Sequence, residues 1–187
     1  MLDRLSEGTD TVAVYYATRD GQARRIAEHI CRRLDGGGTV PHNLLPALPA
    51  PAALAHAPLI VLVAAVRYGK HLPEVERFLA AYRTLPASLP LALASVNLSA
   101  RKPGKTTMSG NAYLRKTIAR HRLTPALAVA FAGRLDYRRY SWRDRLIIRF
   151  IMLLTGGPTD PNTQVEYTSW SAVDDFADAI AALRRNA

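Results

Sequence analysis

The sequence predicts an α/β protein, with helices on both faces of a doubly wound, five-stranded parallel sheet. Apolar runs typical of buried strands alternate along the chain with segments in which apolar residues recur every three or four positions. The run at residues 59–65 reads LIVLVAA, as expected of a central parallel strand covered on both faces. The chain has 187 residues, 49% of them hydrophobic, so we expect a single domain over residues 1–187.

The individual elements follow from their composition and from the residues that begin and end them. Strands are predicted at residues 11–17, 39–44, 59–65, 89–96 and 126–133. Helices are predicted between Gly21 and Gly36, at residues 73–82, at 111–122 and from Ser171 onward. Pro73 suits the first turn of its helix, and Ser171 is predicted to cap the last one, with Asp174 three residues later.

The composition excludes several classes of protein. Cys31 is the only cysteine, which excludes internal disulfides, paired-cysteine redox motifs and cysteine-rich metal sites. The five histidines are scattered, so we expect no metal site. The first ten residues do not resemble a signal peptide, and no apolar run approaches the roughly 18 residues that a membrane span needs. We therefore expect a soluble, cytoplasmic protein.

The positive charge is concentrated in one block. The net charge is +10, and residues 97–149 contain thirteen Lys and Arg but only Asp136 and Asp144 as acids. This distribution predicts an anionic partner, which is a nucleic acid, an anionic membrane surface or a polyanionic small molecule.

Three loops at the carboxyl ends of predicted strands are candidates for a binding site, because ligands of such sheets bind there. In the first, residues 18–22 (TRDGQ) lead into a helix, whose free N–H groups favour an anion, although an ordinary turn explains the pattern equally well. In the second, Tyr68 stands beside Gly69. This pair fits either a tyrosine ring that covers a flat heterocycle or a half-buried tyrosine that only packs within the protein. In the third, Asn97 offers hydrogen bonds to such a heterocycle.

A long interruption follows the fifth strand. Residues 134–162 form an insertion in which Arg145 and Arg149 lie four apart on a narrow polar face of an otherwise apolar helix. Together with Tyr137, Tyr140 and Trp142, this pattern fits a helix lying in a membrane interface. It equally fits a helix packed on the core or on a second subunit.

Taken together, four segments resemble one family. They are TRDGQ at residues 18–22, RYGKH at 67–71, SVNLSARKP at 95–103 and LDYRRYSWRDRLIIRFIMLLTGG at 135–157. The chain resembles the menaquinone-dependent protoporphyrinogen IX dehydrogenases, which are flavodoxin-like enzymes of haem biosynthesis. The resemblance extends from about Val12 to the last helix and implies a flavodoxin-like sheet of order 2-1-3-4-5. Residues 1–10 extend beyond it.

The resemblance implies a function and a cofactor, FMN. The reaction would be FMN-dependent oxidation of protoporphyrinogen IX to protoporphyrin IX, with electrons passed to menaquinone or ubiquinone at the inner face of the cell membrane. FMN would be held by three loops, which contain Thr18, Arg19, Asp20, Gly21, Gln22, Arg67, Tyr68, Gly69, Ser95, Val96, Asn97 and Leu98. Ala17 and Ala23 replace hydroxyl residues common in flavodoxin phosphate loops, so we expect phosphate binding to depend on backbone N–H groups.

The implied substrate and membrane contacts come from the basic residues and the insertion. They are Arg101, Lys102, Tyr137, Arg138, Arg139, Tyr140, Trp142, Arg145 and Arg149, with arginine suited to the propionate carboxylates of the substrate. No residue is assigned a catalytic role, and a homo-oligomer is left open.

Three other functions compete with this one. A flavodoxin-type NAD(P)H:quinone reductase would be reduced by a nicotinamide. An electron-transfer flavodoxin would have no use for the insertion or the basic block. A nucleic-acid-binding module would use the basic block but not the apolar run at residues 147–154, so we expect no nucleic acid partner.

Overall fold

The computed structural model describes residues 12–36, 38–139, 141–154 and 156–185. The predicted N-terminal extension at residues 1–10 and the predicted contact residue Tyr140 lie outside these ranges, as does the side chain of Arg139.

The strands form one large sheet and one small one. The strands are β1 (Ala13–Ala17), β2 (His42–Asn43), β3 (Ile60–Arg67), β4 (Lys70–His71), β5 (Leu91–Val96), β6 (Leu127–Phe131), β7 (Arg134–Asp136) and β8 (Gln164–Glu166). Five strands of the large sheet are parallel in the order β2-β1-β3-β5-β6, and β4 pairs antiparallel with β3. The predicted doubly wound, flavodoxin-like topology is therefore confirmed, since this order corresponds to 2-1-3-4-5 once β4 is set aside.

Helices cover both faces of the sheet. The helices are α1 (Gln22–Asp35), α2 (Pro51–Ala55), α3 (Pro73–Tyr82), α4 (Ala112–His121), α5 (Trp142–Leu154) and α6 (Trp170–Arg185). One core lies under α1 and α6 and is centred on Val61 and Val63 of β3, and the other lies under α3 and α4 around Leu62. Because successive side chains of a strand point to opposite faces, β3 contributes to both cores and is buried on both sides.

The prediction that Ser171 caps the last helix is wrong, because α6 begins one residue earlier, at Trp170. The hydroxyl of Ser169 accepts a hydrogen bond from the backbone N–H of Ala172 (3.4 Å) and takes the capping role. Asp174 instead pairs with His29 of α1 (2.7 Å), which ties the two helices of this face together.

The segment that follows β6 begins and ends with two strands, β7 and β8, that the sequence analysis did not predict. β7 and β8 pair antiparallel at the two ends of the segment and hold α5 between them. The expectation that Tyr137 contributes an aromatic ring to a surface is wrong, because its side chain is fully buried in a small core with Leu135 and Met152. Its hydroxyl donates to the carbonyl of Pro158 (2.8 Å), which satisfies the polar end of the ring.

Candidate functional site

A cavity of about 360 Å³ opens at the carboxyl edge of the large sheet. The strand register places Ala17, Ala64 and Ser95 level with one another across β1, β3 and β5, so the loops that follow these strands meet there. Nine of the twelve predicted cofactor residues line the cavity, namely Thr18, Asp20, Gln22, Arg67, Tyr68, Gly69, Val96, Asn97 and Leu98. The structure thus brings together the three loops that the sequence analysis singled out.

The first loop presents the start of α1 to this cavity. Gly21, at a φ of 87°, precedes the helix, and its N–H donates to the hydroxyl of Thr18 (2.9 Å). The first helical hydrogen bond runs from the N–H of Arg25 to the carbonyl of Gly21 (3.1 Å), so the N–H groups of residues 22–24 have no acceptor within the helix. No acidic side chain occupies the first turn, which leaves the positive end of the helix open to an anion.

The two arginines of the predicted site do different things. Arg19 forms an ion pair with Glu74 at the start of α3 (2.9 Å) and does not line the cavity. Burial raises the pKa of Glu74, but the hydrogen bond and charge of Arg19, a backbone hydrogen bond and the charge of Arg77 together outweigh this and hold the pKa below its ordinary value. Arg67 lines the cavity and pairs with Asp20 of the first loop (3.3 Å) and with the buried Asp144 of α5. Arg67 therefore links the first loop, β3 and α5.

Tyr68 and Gly69 form the two-residue turn between β3 and β4. Both have positive φ angles, 51° and 77°, which is the signature of a hairpin turn that follows the twist of its strands. Positive φ is unfavourable for a tyrosine, and 58% of the surface of Tyr68 is exposed at the cavity, so packing does not explain the ring. The arrangement presents an aromatic face to a ligand.

A buried chain of hydrogen bonds holds the third loop, residues 95–98, in place. Ser95 is fully buried, and its hydroxyl lies 2.9 Å from Nε2 of His71 and 3.0 Å from the amide nitrogen of Asn97. The amide oxygen of Asn97 accepts from Ser99 (2.6 Å), from the N–H of Ala100 (3.2 Å) and from Asn111 (3.1 Å). Most of the hydrogen-bonding capacity of Asn97 is therefore used inside the protein, and this loop offers a ligand mainly its backbone and apolar side chains.

His71 joins this chain to helix α4. Its Nδ1 lies 2.8 Å from the hydroxyl of Thr117, and 5% of the residue is exposed. Burial lowers the pKa of His71 to about 4, so the imidazole is neutral at physiological pH. Because a neutral imidazole has one N–H and one bare ring nitrogen, His71 donates to one of these two hydroxyls and accepts from the other.

The cavity also includes residues that the sequence analysis missed. They are Ala23, Ala65, Val66, Ser99, Lys105, Tyr113, Gly133, Arg134, Ile147, Ile148 and Ile151, to which the predicted contact residue Lys102 is added. The three isoleucines belong to α5, so the insertion forms one wall of the cavity. The apolar pattern of α5 was visible in the sequence. Its position over the sheet edge was not, because it depends on the pairing of β8 with β7.

The other predicted substrate and membrane residues lie around α5. Arg138, Trp142 and Arg149 are exposed, with Trp142 at 67%. Arg145 is half-buried and donates from Nε to the carbonyl of Tyr137 (3.1 Å), while Arg101 donates to the carbonyl of Leu98 (2.9 Å). Arg101 and Arg145 thus also brace the chain around the cavity.

α5 carries a broad apolar surface that the rest of the described chain does not cover. Its large exposed apolar side chains are Trp142, Leu146, Ile147, Phe150, Ile151, Leu153 and Leu154. Met152 and Asp144 anchor the opposite side of the helix, since both are buried. Across residues 12–36, 38–139, 141–154 and 156–185, no helix has both the length and the apolar character needed to cross a membrane.

These features fit a flavin. The open start of α1 suits a phosphate, and the space above Gly21 contains no atom within 4 Å of the position that a Cβ would take. Beyond it, Tyr68, Val96, Leu98 and the isoleucines of α5 form a slot that is mainly apolar, as a flat ring system requires.

Comparison with known proteins agrees with this site. Residues 13–162 match the family model described as a flavodoxin domain. The protoporphyrinogen IX dehydrogenase (quinone) of Escherichia coli strain K12 is 36% identical over 179 residues, covering 91% of this chain and 94% of that protein. The protein of the same name from Leishmania major is 36% identical over 169 residues, covering 90% of this chain and 73% of that protein.

A solved structure supports the fold independently. A flavodoxin from Streptococcus pneumoniae TIGR4 superimposes with a TM-score of 0.51 at 9% identity, over 91% of this chain and 97% of the other. Sequence and fold therefore agree: the chain belongs to the flavodoxin domain family and, within it, to the family of the quinone-dependent protoporphyrinogen IX dehydrogenases.

Proposed function

We propose that this protein oxidises protoporphyrinogen IX to protoporphyrin IX with FMN as its cofactor and passes the electrons to a membrane quinone, as a step of haem biosynthesis. One observation carries the proposal. The cavity at the sheet edge joins a helix start suited to phosphate with a slot walled by α5, whose outer side is apolar and exposed. An ordinary electron-transfer protein has no use for such a wall, whereas an enzyme with two hydrophobic reaction partners does.

FMN would lie with its phosphate at residues 18–22 and its ring system between Tyr68 and the loop at residues 95–98. When bound, the flavin supplies the redox chemistry, and the protein supplies orientation and electrostatics. The N–H groups at the start of α1 bind the phosphate, and Tyr68 covers the ring. Arg67, held by Asp20 and Asp144, fixes α5 against the phosphate loop so that the isoleucines of α5 exclude water from the slot.

α5 would bring the cavity to an anionic membrane surface, where the quinone resides. Its exposed face combines Phe150, Leu153 and Leu154 with Trp142 at its start, and the exposed Arg143 and Arg149 lie on the same helix. Apolar side chains with a tryptophan and flanking cations are the composition of interfacial helices. The protein would then be a cytoplasmic protein bound peripherally to the inner face of the cell membrane.

Quinone-dependent turnover tests this function. Protein loaded with FMN is mixed anaerobically with protoporphyrinogen IX and either menaquinone or ubiquinone in vesicles, and porphyrin fluorescence is followed. We expect sustained formation of porphyrin, beyond what the bound flavin can oxidise, only when quinone, FMN and protein are all present. A protein that reduces quinone with NAD(P)H and leaves protoporphyrinogen untouched would be a quinone reductase instead, and the proposal would be wrong.

A further inference from the structure

We propose that Lys102 and Lys105 form a subsite for a dicarboxylate at the rim of the cavity, where they receive the two propionate groups of the substrate. The inference rests on the proposed function and deepens it by assigning the orientation of the tetrapyrrole. Both lysines line the cavity, together with Tyr113 of α4.

The two lysines are held at the two ends of one tight turn. The N–H of Lys105 donates to the carbonyl of Lys102 (3.1 Å), and the two residues between them are Pro103 and Gly104, the latter at a φ of 71°. Proline followed by a glycine with positive φ is the sequence of a type II turn, whose first and last residues lie within about 7 Å of each other. The turn therefore sets the spacing of the two backbone positions from which the lysine side chains extend.

The turn is anchored to the cofactor loop from behind. Asn111 is fully buried, and its amide nitrogen donates to the carbonyl of Lys105 (2.9 Å) and to the amide oxygen of Asn97 (3.1 Å). Gly110 packs so closely that a Cβ there would lie 1.8 Å from the carbonyl oxygen of Gly104. These contacts connect the turn to the loop at residues 95–98 and fix the backbone of both lysines relative to that loop.

No carboxylate of the described residues neutralises the two lysines at this rim. The other two cations of the cavity, Arg67 and Arg134, pair with carboxylates of the chain. Among the described residues, Lys102 and Lys105 have no carboxylate partner, and the one acidic residue in the lining, Asp20, is paired with Arg67. A ligand with two neighbouring carboxylates complements two adjacent cations in charge.

This subsite orients the substrate. With its propionates at the turn, the macrocycle extends toward the isoleucines of α5, whose apolar side chains suit its methyl- and vinyl-bearing edge. The carboxylates then remain at the solvent-exposed rim, where their desolvation is small.

The test uses porphyrin binding rather than turnover. Protoporphyrin IX and its dimethyl ester, which lacks both charges, are titrated into FMN-loaded protein and followed by quenching of porphyrin fluorescence. Three variants are compared with the wild type, namely K102Q/K105Q, K102R/K105R and K116Q, the last removing an exposed lysine of α4 that does not line the cavity.

We expect K102Q/K105Q to bind protoporphyrin IX at least tenfold more weakly, to bind the ester unchanged and to retain FMN. K102R/K105R restores most of the affinity, because it keeps both charges, and K116Q behaves as the wild type. Equal binding of acid and ester by the wild type, or equal loss in K116Q and K102Q/K105Q, would overturn the inference. The outcome is separable from the proposed function, since a wild type that selects the acid over the ester without oxidising protoporphyrinogen supports the subsite and contradicts the reaction.

Discussion

At the scale of single residues, Arg67 connects parts of the chain that are distant in sequence. Its guanidinium lies at the end of β3 and pairs with Asp20, 47 residues earlier, and with Asp144, 77 residues later. Asp144 is buried, so its charge depends on this partner for compensation. The ion pair, together with the buried Met152, is what fastens α5 to the sheet edge.

Asp144→Asn tests this fastening. The amide keeps the size of the side chain but loses the charge, so we expect the free energy of unfolding to fall by about 2 kcal/mol and α5 to be cleaved faster in limited proteolysis. Asp178→Asn, which removes an exposed partner of Arg33, is the matched control and is expected to change neither quantity. Equal behaviour of the two variants would show that Arg67 does not hold α5.

His71 gives the protein an acid-sensitive contact. Its pKa is about 4 in the folded protein, against about 6.5 in an unfolded chain, because burial disfavours the imidazolium. Of the charged groups near it, Glu76 favours the protonated ring, while Arg120 and His121 oppose it. Between these two pKa values the unfolded chain binds one more proton than the folded protein, so stability falls as the pH is lowered through this window.

His71→Gln removes this pH-dependent contribution to the free energy of unfolding. We expect the unfolding free energy of the wild type to fall about 1.4 kcal/mol more per pH unit than that of the variant between pH 6 and pH 4.5, measured by urea denaturation. Above about pH 7 the two profiles should run parallel. Parallel profiles at acid pH as well would mean that His71 is charged in the folded protein.

At the scale of elements, the β3–β4 hairpin exposes an aromatic ring at a cost in stability. Tyr68 adopts a backbone conformation that a glycine adopts without strain, and 58% of its surface is exposed, with the guanidinium of Arg67 5.3 Å from the ring centroid. A ligand that stacks on the ring would explain why a tyrosine occupies this turn.

Tyr68→Gly separates the two effects. We expect the free energy of unfolding to rise by about 0.5 kcal/mol, because the left-handed strain is relieved, and the Kd for FMN to rise about tenfold, because the stacking partner is lost. Tyr68→Phe, which keeps the ring, should bind FMN nearly as well as the wild type. Undiminished FMN binding by Tyr68→Gly would remove the ring from the proposed site.

Helix α5 presents its apolar side to the surroundings, and vesicle binding tests whether that side meets a membrane. We expect co-sedimentation with vesicles that contain anionic lipid, weakened by salt, and a more than tenfold loss of binding in F150S/L154S. Val40→Ser, at a 67% exposed valine far from α5 in sequence, is the control. Equal binding by both variants would contradict a membrane role for α5.

At the scale of the whole molecule, local sequence patterns predicted the architecture but not the contacts between segments that are distant in sequence. The alternation of strand and helix patterns predicted a parallel sheet with helices on both faces, and the family resemblance predicted its strand order. The glycines at positions 21 and 69 marked two of the loops at its edge. The pairing of β7 with β8 brings residues 134–136 against residues 164–166, and neither segment shows a strand pattern of its own. The burial of Tyr137 and the position of Lys105 at the cavity also depend on contacts outside their own segments, so neither could be predicted.

The basic block has a different meaning in the folded protein from the one its sequence suggests. Of the thirteen cations, Arg120 and Arg134 pair with carboxylates of the chain. The others include Lys102 and Lys105 at the cavity rim, Arg143 and Arg149 of α5, and Lys116 of α4. The fold therefore distributes over separate surfaces what the sequence presents as one block of thirteen cations.

The central claim is that one cavity couples protoporphyrinogen to a flavin, and flavin absorbance tests it most directly. FMN-loaded protein, in at least threefold molar excess, is mixed anaerobically with protoporphyrinogen IX in a stopped-flow instrument, without quinone. Because the oxidation to protoporphyrin IX removes six electrons and one FMN accepts two, we expect FMN absorbance to bleach as porphyrin fluorescence rises, with about three flavins reduced per porphyrin formed, and added quinone to restore the absorbance. Flavin that stays oxidised with protoporphyrinogen but is bleached by NAD(P)H would contradict the account.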